Sequence, residues 1–162
     1  MKTAFILFAA VLFFSCNQGQ QDTRQLQTRI DSLQQLVNKS YKPGLGEFML
    51  GLQQHHARLW FAGTYQNWPL ADFEVHEIGE TLDDIKQYCT DRPEIKSLGI
   101  IDPAINSISK AIKQKDVEQF KKAFTQLTAG CNTCHKDNQH GFNVIVIPTG
   151  LPVDNQNFKP GN

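Results

Sequence analysis

Apolar residues recur at helical spacing through most of this chain, and four runs are long enough to define elements. The first, Glu47 to Gln66, sets Met49, Leu52, His56, Leu59, Trp60 and Gly63 on one face. Pro69 suits the opening turn of a second helix, whose stripe Ala71, Val75, Ile78, Leu82, Ile85 and Cys89 alternates steps of four and three. Arg92 and Pro93 interrupt the pattern. Asp102 and Pro103 then read as N-cap and first position of a third helix with Ile101, Ile105, Ile108 and Ile112 inward. Asp116 caps a fourth, whose seam Val117, Phe120, Phe124, Leu127, Cys131 and Cys134 runs in steps of three and four. Similar lengths and short connections predict an all-α fold, an antiparallel four-helix bundle over residues 44–142. Up-and-down tracing puts the end of the last helix beside the start of the first.

Two flanking segments lie outside this pattern. Residues 20–40 are rich in Gln and carry Leu26, Ile30, Leu33 and Val37 four, three and four apart, before Pro43, Gly44 and Gly46 break the helix. The stripe fits either a short coiled-coil stalk, which would make the chain a homo-oligomer, or a lone helix. Residues 143–162 read as an extended tail, with the apolar run Val144 to Ile147 before Pro148 packing over the bundle or the edge of its site.

The N-terminus carries an export pattern. Lys2 is followed by an apolar run from Ala4 to Phe14, too short to span a membrane, and then by Ser15, Cys16 and an abruptly polar stretch from Asn17. This resembles a bacterial lipoprotein signal, although Phe13 and Phe14 replace the usual Leu and small residue. The resemblance implies a signal peptide at 1–15, lipidation of Cys16, a lipid-anchored polar linker over 16–43, and a periplasmic domain tethered to a membrane. An ordinary cleaved signal with an incidental Cys16 is the other reading, and it too predicts export. Sixteen basic residues balance sixteen acidic ones, so no nucleic-acid partner is expected. The gathering of Lys110, Lys113, Lys115, Lys121 and Lys122 reads as a solvated helix face.

The chemistry concentrates in Cys131, Asn132, Thr133, Cys134 and His135, which spell Cys-x-x-Cys-His. This is the attachment signature of a c-type haem: two thiols can form thioethers to one porphyrin, while the adjacent imidazole binds its iron. The competing readings are a redox dithiol, which wants a βαβ setting, and half of a zinc site, which needs a second ligand pair. The other two cysteines stand apart. Cys89 falls on the core face of the second helix and reads as a small buried hydrophobe.

A haem motif late in the last helix of a bundle resembles the class II c-type cytochromes, cytochrome c-prime and cytochrome c-556. Class I cytochromes place the motif early and take a downstream Met, and no Met follows His135. The resemblance covers about residues 44–140. It implies one covalent haem c on Cys131 and Cys134, with His135 as proximal iron ligand. In six-coordinate members a Met near the start of the first helix supplies the other axial ligand, and Met49 occupies that place. In five-coordinate members a packing residue there leaves the iron open to diatomic gases such as NO or CO.

The expected function is therefore electron transfer with redox partner proteins, the alternative is gas binding, and neither is enzymatic. Lys136 fits a frequent family choice, whereas Asp137, Asn138 and Gln139 replace residues that often meet the propionates. His55, His56 and His76 read as hydrogen-bonded core residues, and His140 as a residue capping or lining the haem edge.

Overall fold

The computed structural model describes residues 22–153 and 155–161; the signal and lipidation readings, Cys16 included, lie outside them. The described residues form five α-helices and one 3-10 helix, with no β-strand. The chain divides into two units, 1–42 and 43–162. Within the first, α1 spans 22–39 and is stitched along its surface by Gln27 to Asp31 and Gln34 to Asn38 side-chain hydrogen bonds. Its stripe of Leu26, Ile30, Leu33 and Val37 is exposed.

The second unit is a helical bundle of α2 (Leu45–Thr64), α3 (Trp68–Tyr88), a 3-10 helix (Pro93–Ile101), α4 (Asp102–Gln114) and α5 (Val117–Asp137). Local chemistry sets most of the boundaries. Asn67 accepts a hydrogen bond from the Leu70 amide at 3.4 Å and Pro69 lies in the first turn of α3. Asp116 Oδ1 accepts from the amides of Glu118 at 3.1 Å and Gln119 at 2.9 Å, so the predicted cap of α5 is formed.

The cap expected from Asp102 is not formed. The 3-10 helix runs straight into α4, so Asp102 already has helical backbone, φ −55° and ψ −42°, and its side chain caps nothing. Arg92 and Pro93 do interrupt the chain, but the segment after them is not an open loop. Its 3-10 helix buries Glu94, Leu98 and Ile101.

Helix α2 packs against α3 and α5, and α4 also packs against α3 and α5, which closes a ring around one core. The predicted stripes supply that core: Leu59, Ala71, Val75, Ile78, Leu82, Ile85, Ile108, Ile112, Phe120, Phe124 and Leu127 are all buried. Each large side chain removed from water contributes about 1.5–3 kcal/mol. Cys89 is buried among them. Aromatic rings fill the centre, with Phe124 4.9 Å from Trp60 and Phe120 edge-on to Trp68 at 6.3 Å.

After α5 the chain reverses and returns along the bundle without regular structure. Gln139 makes the reversal with left-handed backbone, φ 65°. Near the far end, Phe158 is buried against Phe61 at 6.0 Å, and Asn67 Nδ2 donates to the Lys159 carbonyl at 3.2 Å.

Gly63 lets the Phe120 ring of α5 pack directly on the α2 backbone, because a Cβ there would overlap that ring. Neither backbone can retreat without opening the aromatic core. Gly63→Ala is expected to lower stability by about 1–3 kcal/mol, read as a reduced urea midpoint with unchanged m-value.

Candidate functional site

A cavity of about 630 Å³ opens where the start of α2 meets the end of α5, within the range of roughly 300–1,000 Å³ common for ligand sites. Met49, Leu52, Gln53 and His56 line it from one face of α2, and Cys131, Cys134, His135 and Asn138 line it from α5. Leu82, Leu98 and Ile101 add apolar wall, Arg92, Glu94 and His140 a polar edge, and Asn143 and Ile145 close it from the returning tail. The structure thus brings Met49, Cys131, Cys134 and His135 together.

The imidazole of His135 is oriented by the tail. Its Nδ1 lies 2.7 Å from the Asn143 carbonyl oxygen. A carbonyl can only accept, so Nδ1 carries a proton, and in the neutral ring Nε2 is the nitrogen with the lone pair. That nitrogen is able to bind a metal.

The two thiols sit in a setting unlike that of a reactive dithiol. Burial, with the neighbouring Cys134 adding to it, pushes Cys131 up to about 11, and burial raises Cys134 too. Both lie in the closing turns of α5, where the helix dipole opposes a thiolate, whereas a nucleophilic Cys-x-x-Cys needs a lowered value. The zinc reading lacks ligands as well. Among the described residues, no group of three or more His, Cys, Asp or Glu is placed to share a metal ion.

Of the three histidines expected in the core, His56 is buried and His55 is half-buried but hydrogen-bonded to a core carboxylate. His55 Nδ1 meets the buried Glu74 Oε2 at 2.7 Å, linking α2 to α3. The other oxygen of Glu74 has no hydrogen-bond partner among the described residues. His56 Nε2 lies 2.9 Å from Thr128 Oγ1, whose own proton goes to the Phe124 carbonyl at 3.0 Å. Thr128 must therefore accept, which fixes His56 as the Nε2–H tautomer. His76 is a correction: it is exposed and pairs with Glu80 at 3.1 Å on the surface of α3. It sits beside Val75, off the buried stripe.

His140 lines the cavity and contacts Glu94 Oε1 at 3.1 Å, the same oxygen that accepts from Arg92 at 2.7 Å. Burial alone would raise the Glu94 carboxyl. Bonds from its own backbone amide, His140 and Arg92 outweigh that and hold it below the usual range. Its Oε2 is buried and unpartnered among the described residues. The sequence reading took Arg92 only as a break and passed over Glu94, although a Glu directly before the apolar positions Ile95, Leu98 and Ile101 was a visible anomaly. Asn143 and Ile145 were placed only in a tail. The lysine cluster lies around the α4–α5 turn, at the opposite end of α5 from the cavity.

Comparison of the chain with known protein families, with curated proteins and with solved structures finds no match.

Burial lowers His56 to about 4 from its ordinary 6.5. The native protein thus excludes a proton that the unfolded chain accepts below pH 6.5. The sign follows directly: no effect above pH 6.5, progressive loss of stability between 6.5 and 4, and a full loss of about 3 kcal/mol below that. Urea unfolding across pH 7 to 4 is expected to show this slope, and His56→Gln, which keeps a donor for Thr128, is expected to flatten it.

Proposed function

We propose that this chain is an exported c-type cytochrome with a single covalent haem, an antiparallel four-helix bundle that carries electrons between partner proteins. One observation carries the reading: the thiols of Cys131 and Cys134 and the metal-competent nitrogen of His135 line one apolar-walled cavity, with the Met49 thioether on its other wall. The donor set fits a haem. Paired neutral thiols suit thioether formation, and an imidazole and a thioether sulfur, on two different helices, suit the axial positions of one iron.

Bound there, haem supplies a one-electron Fe(III)/Fe(II) couple. Cys131 and Cys134 would anchor it to α5, and His135 and Met49 would hold its iron from the two walls of the cavity. Leu52, Leu82, Leu98 and Ile101 exclude water from the ring, which limits reorganisation when charge changes. The antiparallel arrangement is supported by the meeting of Met49, at the start of α2, with Cys131 near the end of α5. Export of residues 1–15 as a signal, and a lipid on Cys16, put this domain on the periplasmic side of a membrane. Among the described residues no helix is long and apolar enough to cross one.

Protein exported in a host with haem-attachment machinery is expected to give the pyridine haemochrome spectrum of a thioether-linked haem, which Cys131→Ser with Cys134→Ser abolishes. Colourless wild-type protein with both thiols unreacted would overturn the reading.

The distal ligand has its own test. If Met49 ligates, reduced wild-type protein binds CO slowly, limited by ligand displacement, and Met49→Ala binds it at least tenfold faster in stopped-flow absorption. Equal, prompt binding in both would replace electron transfer with five-coordinate gas binding.

A further inference from the structure

We propose that Asn132, one of the two residues between the cysteines of the Cys-x-x-Cys-His segment, is a positioning residue for the iron ligand: it pins the returning tail so that a backbone carbonyl holds the His135 imidazole. The inference rests on the haem reading above and adds to it a determinant of the redox poise of that site.

The geometry is a chain of three short bonds. Asn132 Nδ2 donates to the Ile145 carbonyl at 2.8 Å, and the Ile145 amide donates to Asn132 Oδ1 at 2.8 Å. One side-chain amide thus satisfies both backbone groups of a single tail residue, as a neighbouring β-strand would. Two residues earlier, the Asn143 carbonyl accepts from His135 Nδ1 at 2.7 Å. The turn between is closed by the His140 amide on the His135 carbonyl at 2.7 Å and the Asn143 amide on the His140 carbonyl at 2.8 Å. Segment 143–145 is therefore tied to α5 from both sides of the imidazole.

An Asn is well suited to the task. Asp lacks the donor for the Ile145 carbonyl, and Leu lacks both partners. The side chain of Val144, between the two tied residues, points outward and is exposed. Hydrogen bonding therefore fixes the segment more than side-chain burial does. Donation from Nδ1–H to a carbonyl raises the basicity of Nε2, and a more basic ligand favours Fe(III). Loosening the clamp weakens that donation and shifts the balance toward Fe(II).

The test uses haem-loaded full-length protein and two readouts. In equilibrium titration against a redox mediator, Asn132→Leu is expected to shift the Fe(II)/Fe(III) ratio toward Fe(II) by about three- to tenfold; tenfold is about 59 mV for one electron. In the diamagnetic ferrous or ferrous-CO protein, the His135 Nδ1 proton is expected to exchange with solvent at least tenfold faster than in wild type. Asn132→Asp, which keeps only the acceptor, is expected to fall between, and it serves as the test variant if Asn132→Leu gives no holoprotein. Val144→Ala is expected to match wild type in both readouts.

An Asn132 variant that binds haem with an unchanged ratio would overturn the inference even if it is less stable, because a purely structural role moves stability and leaves the couple alone. An equal shift in Val144→Ala would overturn it too. Wild-type protein that acquires no haem sinks the parent reading instead, and this one with it.

Discussion

The seam of α5 is the constraint on which the site depends. Phe120, Phe124 and Leu127 are buried, and Cys131 and Cys134 continue the same stripe toward the C-terminus. Helical geometry puts residues three and four apart on one side, so His135, four beyond Cys131, shares their side. Turning the cysteines away from the cavity would require rotating the whole helix. That would expose two phenylalanines and a leucine, each contributing about 1.5–3 kcal/mol while buried. The orientation of the three chemical groups is thus held by residues that take no part in the chemistry.

On the opposite wall, α2 works by the same rule with a different composition. Met49, Leu52 and His56 follow one face, and the next residues along it, Leu59 and Gly63, enter the core. Gly63 lets α2 approach the Phe120 ring, and that approach sets the separation of the two walls at the closed end. Toward the open end α5 carries Cys131 and Cys134 where the closed end has Phe120 and Phe124, and the cavity lies where the large rings stop. His56 marks the transition. Its ring lies 4.4 Å from Phe124 while its Nε2 is committed to Thr128, so it belongs to the core and lines the cavity as well.

Periodicity made the helices, the core stripes and the two cavity walls legible in the sequence, because each is a repeated preference summed over several helical turns. What escaped carries no repeat. The 3-10 helix follows a proline break, includes Gly99 and Ser97, and buries Glu94 against the usual preference of a carboxylate for water. The docking of residues 143–145 depends on one asparagine and three backbone groups, which leave no hydropathy pattern. His76 was misassigned although the four-and-three alternation of α3 skips it. The resemblance to class II cytochromes could not supply the tail, since that segment is foreign to the family pattern.

The tail also explains how a few hydrogen bonds can hold an exposed segment. It is fastened at two places: near His135 through Asn143 and Ile145, and near the α2–α3 turn through Phe158 and the Lys159 carbonyl. Met49 and Phe61 are twelve residues apart on α2, roughly 18 Å along its axis. Residues 143–158 extend to roughly 50 Å, so the tail crosses that distance without strain. Burying Phe158 contributes about 1.5–3 kcal/mol and anchors the far end of the tail. Once that end is fixed, bringing Ile145 to Asn132 means closing a loop rather than capturing a free terminus, and closure entropy rises only slowly with loop length. Bonds contributing about 1 kcal/mol each in water are then sufficient to set the place of a carbonyl against His135.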